Sequence, residues 1–245
     1  MSAYGPLAFW YDDLTRDVPY GAFADFYEKI FAADGGEHKT LLDLCCGTGT
    51  LTCELASRGY ELIAVDASPD MLAAAREKAE TLPENAVAPL LICQQAAELD
   101  LYGTVDAAYS SLDSVSYLPP SDLPEVFRRL RLFVRPGGLL IFDIRTPAFL
   151  RGMDGELCVD ETPSVLCLWR GRFDAKLKAL RYGMDIFERE GALWRRSGEE
   201  HIEYAHEPQQ LCELLASSGF PAAVLREDGP GGEGRLFIIA KREDA

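Results

Sequence analysis

The stretch that most constrains this chain is Leu41 to Thr52, LLDLCCGTGTLT. An apolar run enters a turn that holds Gly47 and Gly49, then leaves it as the start of a helix. Glycine at either place lets the backbone turn sharply and approach a ligand, where a Cβ would stand in the way. Strand, glycine turn and helix make the first half of a nucleotide-binding βαβ unit. Two glycines alone are common in turns, but two acids sharpen the pattern. Asp43 lies inside the strand end. A second apolar run, YELIAVD, finishes in Asp66, near the spacing at which such a unit offers an acid to ribose hydroxyls. A pyrophosphate site wants a third glycine for close helix–strand packing; Thr52 stands there instead. That pattern points away from a dinucleotide and towards an adenosyl ligand without phosphate.

Elements alternate along the rest of the chain. Ala22 to Ala32 reads as an amphipathic helix before a Gly35-Gly36 loop. Strand one spans Thr40 to Cys45, and its helix runs to about Arg58, closed by Gly59 as a C′ glycine. Strand two, Glu61 to Asp66, leads to Ser68 as N-cap with Pro69 at the first helical position. That helix runs to about Glu80. Strand three is expected over Ala86 to Gln94 and strand four over Thr104 to Ser110. A helix capped by Ser121 or Asp122 ends at Pro136-Gly137-Gly138, and Leu139 to Ile144 forms strand five. Strands one and five are apolar at consecutive positions, as expected where helices cover both faces of a parallel sheet. After Arg151 the period becomes two. VLCLWRGRF, KALRYGMDIFE and LWRRSGEEHIEY are three strand-like runs with turns at Asp174-Ala175 and Glu190-Gly191, which suggests an antiparallel sheet with one covered face. EPQQLCELLASSG is a helix, and the segments flanking GPGGEG form a hairpin.

Length and composition bound the class. The 245 residues suffice for one large α/β domain, and 48% hydrophobic residues can build a substantial core. A net charge of −16 opposes polyanion binding on average. The arginine-rich run RRLRLFVR reads as a solvated helix face, so nucleic acid is not the expected partner. No run of 18 apolar residues is present, so no membrane span is expected. The N-terminus lacks a basic segment followed by an apolar one, so no secretory signal is expected. Seven cysteines without a CxxC pair, among them Cys45, Cys46, Cys93 and Cys167 in apolar runs, read as thiols in a reducing cytoplasm. Neither a disulfide framework nor a bound metal is expected.

DLCCGTG with the downstream VDAS closely resembles the first two motifs of the class I S-adenosylmethionine-dependent methyltransferases. The order DLCCGTG, VDAS, CQQAAELDL, SSLDSVSYL, RPGG and FDI is similar to small bacterial members with an antiparallel sheet between strand five and the last large helix. WYDDLTRDVPYGAFADFY is similar to the cap these enzymes place before strand one. The resemblance implies a three-layer α/β sandwich with a seven-stranded, mostly parallel sheet in the order 3-2-1-4-5-7-6, strand seven being antiparallel. Its Rossmann-like domain would comprise residues 1–147 and 205–245, with 1–36 as a helical cap. Residues 148–204 would form an inserted antiparallel sheet over the cleft, on the side where open α/β sheets bind ligands.

Roles follow from the same resemblance. Gly47 and Gly49, with Cys45 in the same loop, lie against the methionine part of S-adenosylmethionine, and Asp43 supports the loop near its amino group. Asp66 accepts hydrogen bonds from both ribose hydroxyls; Ala67 and Met71 neighbour the adenine. CQQAAEL resembles CQDMREL but carries Gln95 in place of the aspartate that reaches the adenine amino group. An amide oxygen can accept the same bond, and Ala96 offers its backbone N–H. Ser110, Ser111, Leu112 and Asp113 follow strand four, where the transferable methyl points. No NPPY-type signature is present, which lowers a nucleobase or glutamine amide as acceptor.

Methyl transfer is an in-line displacement, so much of the catalysis comes from holding the nucleophile near and aligned. His201, in GEEHIEY, matches a histidine of the family pattern and is expected to contact substrate or act as base; a structural histidine is the alternative. Asp113, Tyr109, Tyr11, Tyr20, Arg145, Trp169 and Tyr204 are further pocket candidates, with core packing the alternative for each aromatic. His206 belongs near the start of the next helix, and His38 precedes strand one. The expectation is a cytoplasmic methyltransferase that converts S-adenosylmethionine to S-adenosylhomocysteine with a small-molecule acceptor. A macromolecular acceptor (protein or RNA) and a cofactor-binding protein without transfer activity stay open; a nicotinamide-dependent oxidoreductase is disfavoured by Thr52.

Overall fold

The computed structural model describes residues 6–243, so the first five residues of the expected cap and the last two of the chain lie outside the described residues. Helices α1 (Pro6–Leu14) and α2 (Tyr20–Asp34) precede β1 (Thr40–Leu44), α3 (Thr50–Ser57), β2 (Glu61–Asp66), α4 (Pro69–Ala79), β3 (Leu90–Cys93) and β4 (Val105–Ser110). Then come α5 (Leu123–Phe133), β5 (Val134–Arg145), α6 (Pro147–Gly152), β6 (Leu157–Glu161), β7 (Val165–Asp174), β8 (Ala179–Glu190) and β9 (Leu193–Tyr204). The chain returns through α7 (Pro208–Ser217), β10 (Ala222–Arg226) and β11 (Arg235–Lys241).

The main sheet has seven strands in the order β3-β2-β1-β4-β5-β11-β10, with β11 antiparallel to β5. Counted within that sheet, this is the expected 3-2-1-4-5-7-6. Consecutive apolar residues bury on opposite faces, which is why the central strands show no polar alternation. Leu41, Leu139 and Ile141 pack with Phe23, Tyr27 and Leu55 of α2 and α3. Leu42, Leu140, Phe142 and Ile144 pack with Phe127 and Leu130 of α5 and Leu211 and Leu215 of α7.

Several element boundaries differ from expectation. The cap holds two helices rather than one. β3 starts at Leu90, four residues later than expected, since Pro89 just before it has no N–H for a ladder. α5 ends at Phe133, and RPGG lies inside β5. The pairing with β4 jumps there from Val105↔Val134 to Ala107↔Leu139. Gly138 sits at that irregularity, where a Cβ would come within 2.6 Å of the Asp106 carbonyl oxygen.

The insertion is a four-stranded antiparallel sheet, β6-β7-β8-β9, not three strands. β6 was missed because all five of its residues are exposed and show no burial period. The covered face carries Val165, Cys167, Met184 and Ile186, packed against Leu7, Trp10, Tyr11 and Leu14 of α1. The first helix is thus the lid of the insertion as much as a cap on the main domain.

Candidate active site

β1 delivers its chain into a loop whose backbone is left-handed at Cys45, Gly47 and Gly49, with φ of 62°, 55° and 69°. The two glycines have different duties. Gly47 faces open space and lines a cavity of about 610 Å³. Gly49 does not line it; a Cβ there would meet Ala75 Cβ of α4 at 2.9 Å. The expected ligand contact at Gly49 is therefore corrected to a close approach between α3 and α4.

Asp66 at the end of β2 does more than await a ligand. Its Oδ2 accepts the Gly47 N–H at 2.9 Å and its Oδ1 accepts the Ser68 N–H at 2.8 Å. Burial raises its pKa, and backbone donors from Ser68, Gly47 and Ala67 pull it back. The two oxygens together have about four acceptor sites, so room stays for a ligand hydroxyl beside these donors. Ser68 accepts from the Met71 N–H as N-cap with Pro69 following, which fixes the start of α4 beside the cavity. Ala67, Met71, Gln95 and Ala96 line the same side.

Beneath the glycine loop, the Asp43 carboxyl accepts from Thr52 Oγ1 at 2.5 Å and from the Tyr109 hydroxyl at 3.0 Å. Burial outweighs both donors and raises its pKa to about 7. Burial likewise pushes the Cys45 and Cys46 thiols far up, so neither is a thiolate nucleophile at neutral pH.

Two expected catalytic groups lie behind the wall. Tyr109 is buried in the core, where its hydroxyl supports Asp43. Asp113 is bound to Arg235 Nη2 at 2.8 Å and Arg145 Nε at 3.6 Å, and its backbone N–H donates to Asp143 Oδ2 at 2.8 Å. That anchorage holds Leu112 and Asp113 at positive φ, 55° each. Ser110 is also buried off the wall, while Arg145, engaged with Asp113, and Trp169, packed on the insertion, are half-buried and do not line the cavity.

The wall after β4 instead consists of Ser111, Leu112, Ser114, Tyr117 and Leu118, and β9 roofs it with Glu200, His201, Ile202 and Tyr204. His201 is 3% exposed; its Nε2 lies 2.9 Å from Glu199 Oε2 and its ring meets the Tyr117 ring edge-on at 5.9 Å. His206 sits just before α7, against the Leu118 carbonyl at 3.1 Å.

Tyr11 and Tyr20 come in from the cap. The cap is clasped to the loop by Asp12, which accepts from Thr48 Oγ1 at 2.7 Å and Thr50 Oγ1 at 3.1 Å and pairs with Lys78 at 2.8 Å. Sequence reasoning missed this clasp, Tyr117 and Glu200. SSLDSVSYL marked the segment that holds Tyr117, but no local pattern pairs Asp12 with Lys78. Among the described residues no cluster of metal-ligating side chains occurs, and no helix is long and apolar enough to cross a membrane.

Comparison with known proteins agrees with this geometry. Residues 41–138 match the model of a methyltransferase domain. A protein of Geobacillus sp. (strain WCH70), named as a methyltransferase, is 27% identical across 98% of this chain and 99% of its own length. The structure of an S-adenosylmethionine-dependent methyltransferase from Clostridium acetobutylicum ATCC 824 is similar with a TM-score of 0.82, at 26% identity over 98% of this chain and 99% of that one. A sugar N-methyltransferase from Streptoalloteichus sp ATCC 53650 shares the fold, with a TM-score of 0.84 at 20% identity over 100% of this chain and 95% of that one. With its glycine loop, its acid-tipped second strand and relatives matching from end to end, the chain carries a methyltransferase domain over residues 41–138 and is similar along its length to S-adenosylmethionine-dependent methyltransferases of class I.

Proposed function

We propose that the cavity takes S-adenosylmethionine along its loop side and a small acceptor bearing an amine beneath the β9 roof. The observation that carries this reading is one continuous space of about 610 Å³ reaching from Asp66 to His201. That is within the roughly 300–1,000 Å³ common for small-ligand sites.

Asp66 would accept from the ribose hydroxyls with the oxygen sites its backbone donors leave over. Ala67, Met71, Gln95 and Ala96 would face the adenine. Cys45 and Gly47 would lie against the amino-acid part, with Asp43 near its ammonium. The cofactor supplies an electrophilic methyl on a sulfonium. The chain's own residues bind, align and exclude water, since positioning supplies much of the rate in such displacements.

An amine reaches the site as an ammonium and must lose a proton to become a nucleophile. Glu200 on the roof would offer that ammonium a counter-charge, and His201 beside it would take its proton. The roof by β9 and α1 and the net charge of −16 favour a small acceptor over a polyanion. The sugar N-methyltransferase of like fold supports the same class. The seven free thiols suit a reducing compartment such as the cytoplasm.

Calorimetry with S-adenosylhomocysteine tests the cofactor half. Asp66→Ala should weaken binding by about 100-fold or more, because charged hydrogen bonds contribute roughly 1.5–3 kcal/mol each and Gly47 loses its anchor as well. Labelled methyl transfer to a panel of small amines, with RNA and protein alongside, tests the acceptor half. Label appearing only in macromolecules would overturn the small-molecule assignment, and cofactor binding without any labelled product would favour a non-catalytic binder.

A further inference from the structure

We infer that Glu199 is a positioning residue that ties the seating of α1 over the cavity to the orientation of the His201 ring. The carboxylate stands between them. Its Oε1 accepts the Leu7 N–H at 2.7 Å, and its Oε2 faces His201 Nε2 at 2.9 Å. Glu199 and His201 are two residues apart on β9, so both project to the same, inward face. Leu7 belongs to the first turn of α1, whose N–H groups have no partner within the helix and favour a negative charge.

α1 spans the cavity. Leu7 packs on Val165, Cys167, Met184 and Ile186 of the inserted sheet, and the Trp10 indole donates to Glu188 at 2.6 Å. At the other end Asp12 clasps Thr48, Thr50 and Lys78 beside the glycine loop, and Tyr11 between them lines the cavity. Displacing this helix takes the Leu7 donor from Glu199.

The chemistry gives the coupling a direction. A carboxylate is an acceptor only, so the neutral ring facing it carries its proton on Nε2, which leaves Nδ1 as the ring's acceptor. With Leu7 on Oε1 and the ring on Oε2, both oxygens are committed and the carboxylate cannot rotate without losing one bond. A seated α1 therefore holds the imidazole in one orientation and one tautomer. Release of α1 frees Glu199, and His201 loses its fixed register. The consequence for turnover rests on the reading that His201 takes the acceptor's proton; the coupling itself does not.

The test uses the full chain, labelled with ¹⁵N in its histidine rings, of which there are three. His201→Gln identifies the His201 signals, and hydrogen exchange follows the amides of α1 with and without S-adenosylhomocysteine. The wild type is expected to show the Nε2–H tautomer at His201. In Glu199→Ala the ring signals leave that pattern and α1 exchange rises by about tenfold or more, as for a locally released element. Asp12→Asn, which alters only the far end of α1, should also move the His201 signals.

Glu199→Gln keeps the shape and covers the case in which the alanine variant fails to fold. One of the two positions then holds an NH₂ group, which donates and cannot accept, so either Leu7 or the ring loses its acceptor there and at least one readout must change. Ring signals that stay put in Glu199→Ala, or that move while α1 exchange stays at the wild-type rate, overturn the inference, as does a Glu199→Gln protein with neither change. Failure of S-adenosylhomocysteine to bind the wild type would strike the cofactor assignment and leave this coupling to the ring signals.

Discussion

Buried beneath the glycine loop, Asp43 meets any cofactor as an acid whose pKa burial has raised to about 7. Two donors, Thr52 and Tyr109, favour its ionised form, yet loss of water holds it near about 7. An ammonium brought beside it favours ionisation, so binding should expel a proton. The free site takes up protons as pH falls through about 7, and the bound site resists this to lower pH. Affinity for S-adenosylhomocysteine is therefore expected to rise with pH, by at most about tenfold per unit, and to level off above about 7. Calorimetry in buffers of different ionisation heat reads the released proton directly. Asp43→Asn should abolish both the release and the slope; a wild-type affinity that stays flat from acid to neutral pH would show that no cation comes near this carboxyl.

At the scale of elements, what could be read from sequence was what short-range chemistry writes. LLDLCCGTGT and YELIAVD gave β1, the loop and β2, and Ser68-Pro69 gave the start of α4, because strand pattern, cap and turn are all encoded within a few residues. β6 was not legible, since an exposed edge strand shows no burial period. Asp113 misled because its partner Arg235 lies 122 residues away, and Tyr109 because a phenol that supports a buried acid reads like one that faces a ligand. The two loop glycines look alike in sequence and separate only in three dimensions. Gly49→Ala combines a left-handed backbone with a Cβ pressed on Ala75. It should cost about 2–4 kcal/mol in urea unfolding, the sum of an αL penalty and overpacking. Gly47→Ala meets open space and should cost only the αL share, about 1–2 kcal/mol, while reducing cofactor affinity because its methyl enters the cavity. Equal stability losses for the two variants would refute this division of labour.

For the molecule as a whole, acid titration should act in two opposite directions. Burial raises Asp43 to about 7 and Glu203 to about 8, the latter despite a hydrogen bond from Tyr117. In the unfolded chain such acids give up their protons near about 4. Between those values the folded state binds more protons than the unfolded state, so stability falls as pH rises. A net charge of −16 adds self-repulsion over the same range. The ion-paired carboxylates run the other way. Arg128 and Arg129 lower Glu125 to about 2, and Arg170 and Arg196 lower Asp185, so their contribution fades only as pH falls below the ordinary carboxylate range. The melting temperature is therefore expected to peak in mildly acidic solution and to decline towards pH 8 and above, the reverse of a protein whose buried acids are all ion-paired. Salt should separate the two causes of the decline, because screening weakens surface repulsion but not the desolvation of buried carboxyls. Glu203→Gln holds that site neutral at every pH and should flatten the alkaline limb at high salt. A melting temperature that climbs from mildly acidic solution to pH 8 would mean that Asp43 and Glu203 ionise as readily in the folded chain as in the unfolded one.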